Sequence, residues 1–285
     1  MISPYVRRLR LAAELRALRA EHDLTHEQLA KMIGRSRVQI SRLENGHVVD
    51  QADILQMLDV LGIDGDRWHR IVRITREAGE RGWWESNKEM GTRQARSADL
   101  EAGAATIREF QMSFLPGLLQ TPAFARARVE AEGMGPADGV IADRAVDARN
   151  GRQRMLRRPG GPTYEVIIDD AAIHRRAATA DVVKAQLYHL TARGNGDRAT
   201  TVRVLPLDAV VEGYIVPRTA FSIYTYPDPD DPTVVAVDTV TDDLILTDSA
   251  DVKRYEDLFN RLRDAAMSPA ESLRHVIAVA NAITP

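Results

Sequence analysis

Residues 25–46 read THEQLAKMIGRSRVQISRLENG, and this stretch decides the fold of the N-terminal part of the chain. It holds two short amphipathic segments with one glycine between them and a second glycine at the end. Thr25 followed by Gln28 three residues later is typical of a capping box at a helix start. Gly34 suits a positive φ at the end of the first helix, and Ser36 is placed to cap the second. The sequence therefore predicts two helices joined by a tight turn.

The second of these helices has an apolar side and a polar side. Ile40 and Leu43 would point inward, and Ala30 of the first helix is small enough for the second to pack against it. In a helix-turn-helix, the second helix lies in the major groove with its N-terminal residues at base edges. The spacing of these residues predicts such a motif. The outward positions at the helix start are Arg37, Val38 and Gln39.

The outward residues have side chains suited to DNA. Arg37 would contact guanine through two hydrogen bonds, Gln39 would contact adenine, and Val38 a thymine methyl group. Contacts to phosphates, which set the register on DNA, are assigned to Ser41, Arg42 and Asn45. Because one such motif buries little surface on DNA, we expect a homodimer on an inverted repeat. A plain helical domain with a solvated arginine face is the alternative interpretation.

The segment LTHEQLAKMIGRSRVQISRLENG resembles the helix-turn-helix of the lambda-repressor-like (XRE) family along its whole length. The resemblance implies an all-α domain that binds double-stranded DNA. It also implies a DNA contact for His26, at the first position of the backbone-crossing helix, where the family usually has Gln. A histidine there could donate to a phosphate or a base, with a charge that varies near neutral pH.

The charge of the chain is unevenly distributed. The formal net charge is −3, yet residues 1–46 contain nine Lys/Arg and five Asp/Glu. The remainder is correspondingly acidic. A basic end on an acidic body suits one anionic partner at that end.

Composition excludes several classes of protein. There is no cysteine, so there are no disulfides, cysteine zinc sites or thiol nucleophiles. No apolar run approaches the roughly 20 residues of a membrane span. The N-terminal helix lacks the apolar run of a secretory signal. We therefore expect a cytoplasmic protein with no membrane partner.

The predicted fold class is multidomain α plus α/β. The first 80 residues have the pattern of five short helices. Residues 81–162 are helical but less regular, and residues 163–285 mix β-type runs such as YEVII and TTVRVLP with helices. The predicted domains are an all-α, lambda-repressor-like helix-turn-helix domain at 1–80, a helical connector at 81–162 and a C-terminal mixed α/β regulatory domain at 163–285.

A second resemblance covers nearly the whole chain from about residue 8. It is carried by segments such as EFQMSFLPGLLQTPAFARA, DARNGRQRMLRR and YEVIIDDAAIHR. They are similar to an actinobacterial family of antitoxin-like transcriptional regulators, which joins an XRE domain to a large domain of unknown function, DUF5753. The resemblance implies a small companion protein, encoded nearby, as a partner. It brings no agreed ligand or catalytic residue.

The sequence predicts no catalysis, no cofactor and no metal site. GxxxxGK[ST], GxSxG and HExxH are all missing from it. Asp169, Asp170 and His174 follow a predicted strand and could suggest a metal site. Real sites need more converging ligands, so these residues are assigned to the start of the next helix. The acidic DPDDP at 228–232 lacks the Gly and Glu of a calcium-binding loop.

The sequence thus predicts a sequence-specific DNA-binding transcriptional regulator whose C-terminal body binds a small partner protein or ligand. Two alternatives remain open. One is a small-molecule-binding or enzymatic C-terminal domain with an attached helix-turn-helix. The other is a structural adaptor whose motif has lost DNA binding, which the outward Arg37, Gln39 and Arg42 argue against.

Overall fold

The computed structural model describes residues 2–47, 50–86, 90–131, 139–196, 199–239 and 242–284, which contain twelve α-helices and six β-strands. The chain divides into two compact units. The first unit consists of Met1–Ser86, Ala95–Gly103 and Tyr226–Pro232, and the second of Asn87–Gln94, Ala104–Thr225 and Thr233–Pro285. The predicted combination of an N-terminal helical domain and a C-terminal mixed α/β domain is confirmed.

The first unit is built around the five helices that the sequence predicts. They are α1 (Pro4–Glu21), α2 (His26–Met32), α3 (Arg37–Glu44), α4 (Gln51–Val60) and α5 (Gly65–Ala78). The predicted leucine stripe of α1, Leu11, Leu15 and Leu18, is fully buried in their common core. Because these side chains recur every three or four residues, they lie on one face of the helix. The last part of α6 (Gly91–Gly103) also belongs to this unit.

The second unit contains a six-stranded sheet in the order β3-β2-β1-β4-β5-β6. Strands β1, β2 and β3 are parallel, and β4, β5 and β6 continue the sheet in antiparallel pairs. The strands are β1 (Thr106–Gln111), β2 (Thr163–Asp169), β3 (Thr200–Leu205), β4 (Phe221–Thr225), β5 (Val234–Val237) and β6 (Leu244–Leu246).

Helices connect and cover these strands. They are α7 (Pro122–Ala131), α8 (Gly139–Leu156), α9 (Asp170–His174), α10 (Ala180–Gly196), α11 (Ser249–Ala265) and α12 (Pro269–Asn281), with short 3-10 helices at Gly117–Leu119 and Glu212–Tyr214. The 3-10 helix Trp83–Ser86 belongs to the first unit. Phe110 of β1 lies opposite both Ile167 of β2 and Phe221 of β4. These three side chains share a buried core with Phe259 and Leu262 of α11.

Strand β1 occupies a central position in the sheet, inside the region predicted as a helical connector. The run TIREFQ has only six residues, and Ile107 and Phe110 stand three apart, which is also a helical spacing. The local pattern therefore does not distinguish a strand from a helix. Residues 87–89 and 132–138 of the predicted connector lie outside the described residues.

Among the described residues, no helix has both the length and the apolar character needed to cross a membrane.

Candidate DNA-binding site

Helix α2 begins as the sequence predicts. The Thr25 hydroxyl accepts a hydrogen bond from the Gln28 backbone N–H at 3.2 Å, and the Gln28 side chain accepts one from the Thr25 N–H at 2.8 Å. This capping box satisfies two backbone donors at the helix start. Leu29 and Ala30 are buried, so the face of α2 that meets α3 is small and apolar. The local sequence thus fixes both the start of α2 and its inward face.

The turn between α2 and α3 depends on Gly34. Its φ is +66°, and a Cβ added there would meet no heavy atom within 4 Å. Glycine is therefore required for the left-handed backbone and not for space. The Arg35 N–H then donates to the Ala30 carbonyl at 2.8 Å, which closes the turn. Gly46, with a φ of +74°, follows α3 in the same conformation.

Helix α3 buries one side and exposes the other. Ile40 and Leu43 are buried in the core of the first unit, as predicted. Val38 is an apolar side chain that is nonetheless 64% exposed. The predicted base-reading positions thus share one solvent-facing surface of a short helix, which we call the α3 face. It consists of Arg37, Val38, Gln39, Arg42 and Asn45, with Ser41 partly exposed beside them.

The two arginines of the α3 face are available to an external anion. Arg37 and Arg42 are exposed, and neither forms an ion pair with any residue in the described ranges. Arginines with partners would have to give up those contacts to bind DNA. Arg37 and Arg42 would lose only their bound water on binding DNA. Their guanidinium groups therefore suit guanine edges and phosphates.

Two amides of the α3 face already have partners. The Gln39 side-chain oxygen accepts a hydrogen bond from the Ser36 N–H at 2.9 Å, in a second capping box. The Asn45 side-chain nitrogen donates to the Ser41 carbonyl at 2.6 Å. Contact with both adenine edge atoms needs the Gln39 oxygen as well as its nitrogen. Gln39 would therefore exchange its capping bond for the base, and its assignment stays a prediction.

Glu44 holds the helix-turn-helix together from inside. Its carboxylate is only 2% exposed and accepts two hydrogen bonds from Arg19 of α1, at 2.7 and 2.9 Å. The His26 Nε2 lies 3.0 Å from the same carboxylate, and Arg16 donates to the Glu44 carbonyl. One side chain thus links α1, the start of α2 and the end of α3.

This arrangement changes how His26 is interpreted. Its imidazole is hydrogen-bonded to Glu44, so the side-chain contact that the structure shows for His26 lies within the domain. The predicted DNA contact of His26 stays a prediction. Glu44 was missed in the sequence because it sits beside Leu43 at the end of a short helix. A charged residue there is typical of a solvated position.

The basic character of the N-terminal end is partly neutralised. Arg7 and Arg10 of α1 are buried and pair with the acidic segment DPDDP, residues 228–232, which belongs to the first unit. The Arg7 Nη1 lies 2.8 Å from Asp231, and the Arg10 Nη1 lies 2.7 Å from Asp228. We call Arg7, Arg10, Asp228 and Asp231 the buried ion cluster. Arg7 and Arg10 therefore do not contribute to the basic end that the sequence predicts for an anionic partner.

The buried ion cluster perturbs its own carboxylates in opposite directions. Burial by itself would raise the pKa of Asp228, but hydrogen bonds from Arg10 and Arg7 outweigh it and lower the pKa to about 2. Burial dominates at Asp231 and raises its pKa despite the neighbouring arginines. The carboxylate of Asp228 is therefore strongly stabilised in its charged form by the two arginines.

The second unit has an open groove near the start of α10. Its volume is about 490 Å³, and the Arg128 guanidinium lies 4.5 Å from the centre of the Phe114 ring on its wall. Cationic groups beside an aromatic ring suit a small anionic ligand. The lining residues are Ser113, Phe114, Arg128, Arg175, Arg176 and Ala177.

Comparison with known proteins identifies two family matches along the chain. A helix-turn-helix domain model matches residues 10–70, which contain the α3 face. This match indicates a DNA-binding regulator. A model described as a domain of unknown function, DUF5753, matches residues 94–277. No curated protein and no solved structure matches the chain. Because the DUF5753 model spans more than half of the sequence, the chain belongs to the DUF5753 family.

Proposed function

We propose that the protein is a cytoplasmic, sequence-specific transcriptional regulator that binds an inverted repeat in DNA as a homodimer of the XRE type. The observation that carries this proposal is the α3 face. Arg37, Val38 and Arg42 are exposed on it, while the neighbouring Ile40 and Leu43 are buried. A helix held in this way can enter the major groove without rearranging its core.

Dimerisation is part of the proposal because one α3 face contacts few base pairs. Two copies related by a two-fold axis would read two half-sites about 34 Å apart, roughly one turn of DNA. The DNA would therefore carry an inverted repeat with that spacing.

The experiment is selection of bound sequences from a random DNA pool by the full-length protein. Analytical ultracentrifugation would then give the stoichiometry on the selected site. We expect an inverted repeat with two protein chains bound. A pool that shows no enrichment, or a single asymmetric site bound by one chain, would contradict the proposal.

For the C-terminal domain we propose an antitoxin-like role in which it binds a small companion protein. The support is an exposed apolar segment between β3 and β4. Leu207, Val210, Tyr214 and Val216 are large hydrophobic residues there, and Tyr214 is 87% exposed. Large exposed apolar side chains concentrated in one short segment are typical of an interaction surface. We call these four residues the apolar segment.

Charge favours a companion protein over a second copy of the chain. Asp208 and Glu212 lie among the residues of the apolar segment and are exposed, and Glu212 forms a loose surface ion pair with Arg261 at 3.9 Å. In a two-fold interface the same patch meets itself, which would bring these acidic groups towards one another. A partner with apolar and basic residues would complement them instead.

The companion can be tested directly with the small proteins encoded beside the gene, each purified and titrated against the full-length chain. We expect one to bind, and Leu207→Ser with Tyr214→Ser to weaken it at least about tenfold, since apolar anchors dominate such interfaces. Leu244→Ser, at another exposed apolar position in the same unit, is the matched control. Equal binding by the double variant and the control, or a change in dimerisation instead, would contradict this surface.

A second candidate role for the C-terminal domain is the binding of a small anionic effector in the groove beside Phe114. The three arginines of its lining favour this role. Calorimetric titration with inorganic phosphate and phenyl phosphate would test it. We expect the aromatic phosphate to bind better, and Arg176→Ala to weaken it while Arg254→Ala does not. Unchanged affinity in Arg176→Ala would reject the groove.

We propose no catalytic activity for the chain. The support is the lack of any catalytic motif in the sequence. The measurement that would overturn this part is turnover of a substrate by purified protein that disappears in a defined variant of the second unit.

A further inference from the structure

Three potential metal ligands converge in the second unit, beside the end of β2. Asp170 begins α9, His174 ends it, and His275 lies on α12. The Asp170 Oδ1 is 2.7 Å from the His275 Nε2 and 3.5 Å from the His174 Nε2. One ligand atom from each residue lies within 4.8 Å of the other two.

The backbone holds these three residues on regular elements. Asp170 and His174 are four residues apart in α9, which places them on the same face of the helix. The preceding residue, Asp169, caps α9 by accepting a hydrogen bond from the Ala171 N–H at 2.9 Å. On α12, the Ser272 hydroxyl, one turn before His275, accepts a hydrogen bond from the Val204 N–H of β3 at 2.9 Å. Ligands carried by elements tied to a sheet are well positioned before any ion binds.

The kinds of ligand atom select the kind of ion. Calcium and magnesium prefer sites made of oxygen ligands, whereas two imidazoles and one carboxylate suit zinc and its neighbours in the first transition row. Zinc lies about 2.0–2.2 Å from nitrogen and oxygen ligands, so ligand atoms around one ion are at most about 4 Å apart. The His174 side chain is 53% exposed, so solvent leaves it room to turn towards an ion.

The electrostatics also favour a cation. The Asp170 side chain is only 12% exposed. The two imidazoles beside it, those of His174 and His275, are uncharged unless protonated. A buried carboxylate is costly without a compensating positive charge. A divalent ion would supply that charge and draw the two imidazoles together.

We propose that Asp170, His174 and His275 bind one divalent transition-metal ion, with zinc the best fit, and leave a fourth position open to water or a small ligand. This site differs from the sequence prediction of no metal. His275 is 105 residues from Asp170 in the chain, so the third ligand could not be found from local spacing.

The experiment is equilibrium dialysis of chelator-treated, full-length protein against zinc, followed by elemental analysis. We expect one zinc per chain, with affinity lowered at least about tenfold in His275→Gln and in Asp170→Asn, since even indirect supports of a metal are worth that much. Asp169→Asn is the matched control, because an asparagine oxygen keeps the cap of α9 and Asp169 is not a ligand. Cobalt should give the visible spectrum of a nitrogen and oxygen site in the parent protein and in this control only.

The largely exposed side chain of His174 provides a variant that should not disturb folding. His174→Ala should keep the far-ultraviolet circular dichroism of the parent protein and still lose zinc affinity. His69→Ala, an exposed histidine in the first unit, should retain it. Less than stoichiometric zinc in the parent protein would overturn the proposal. So would zinc binding that survives His174→Ala and His275→Gln, since it would then lie elsewhere.

Discussion

Replacing Arg10 by Met should strongly destabilise the first unit, because this change breaks the buried ion cluster. The Arg10 side chain is 4% exposed and lies 2.7 Å from Asp228, 2.8 Å from Asp230 and 3.3 Å from Asp231. Methionine keeps much of the length and apolar surface of the arginine stem, so the main loss is the charge.

The magnitude depends on which carboxylates are left unpaired. Asp230 is 67% exposed and will contribute little, as surface pairs do. Asp231 is 5% exposed and keeps Arg7 at 2.8 Å, and Asp228 keeps Arg7 at 3.1 Å. Breaking a buried pair from one side costs about 3–5 kcal/mol. Because Arg7 remains, we expect a loss near the lower limit, about 3 kcal/mol.

The assay is urea unfolding of the full-length protein followed by tryptophan fluorescence. All three tryptophans, Trp68, Trp83 and Trp84, lie in the first unit, so fluorescence reports on that unit alone. Circular dichroism at far-ultraviolet wavelengths follows both units. Arg254→Met, at an exposed position of α11, is the control and should change the free energy of unfolding by less than about 0.5 kcal/mol.

A loss below about 1 kcal/mol in Arg10→Met would refute the reasoning, because the cluster would then not be a buried charge network. Adding Asp231→Asn to Arg10→Met should recover part of the loss, since it removes a buried charge that has lost one of its two arginine partners. For the same reason, DNA binding should be tested on the full-length chain and not on residues 1–80 alone. That fragment lacks residues 228–232 and would leave Arg7 and Arg10 without their aspartates.

Three further outcomes follow from the geometry of the first unit. Folding lowers the pKa of Asp228 from 3.8 to about 2. The charged Asp228 carboxylate therefore stabilises the first unit fully above pH 3.8, and this stabilisation is lost as the pH falls through 2. Between these two pH values the free energy of unfolding, followed by tryptophan fluorescence, should fall by about 2 kcal/mol more in the parent protein than in Asp228→Asn. The same pH dependence in both proteins would contradict the lowered pKa. Gly34→Ala should lower the free energy of unfolding in urea by about 1–2 kcal/mol, because alanine disfavours the left-handed backbone at this position. An unchanged free energy of unfolding would show that the turn adopts another conformation. Glu44→Gln should cost about 2 kcal/mol and weaken DNA binding equally on all sequences; a change in base preference would instead place Glu44 at the readout surface.

The parts of the fold that the sequence predicts are those with local causes. Thr25 with Gln28, Ser36 with Gln39, and Gly34 act within one turn of helix, so their spacing is visible in the chain. The leucine stripe of α1 is visible for the same reason. Helix boundaries, caps and the outward face of α3 can therefore be predicted from the order of the residues alone.

The parts that were not predicted depend on partners far away in the chain. The pairing of Arg7 with Asp228 spans 221 residues, and nothing in the sequence near Arg7 distinguishes it from a solvated arginine. The approach of His275 to Asp170 is equally remote from local spacing. Strand β1 was missed because a strand's assignment depends on its neighbours in the sheet, here β2 and β4, as much as on its own residues.

The most direct test of the central claim, that the α3 face reads DNA, measures how Arg37→Ala changes binding to the selected site and to each of its single base-pair substitutions. Fluorescence anisotropy with the full-length dimer at physiological salt would provide the affinities, with Arg42→Ala and Arg254→Ala measured beside it. We expect Arg37→Ala to lose about 1–3 kcal/mol and to relax the preference at one base pair in each half-site. Arg42→Ala should weaken all sequences about equally, and Arg254→Ala should weaken none. An Arg37→Ala protein that keeps both the affinity and the base preference of the parent would contradict the claim.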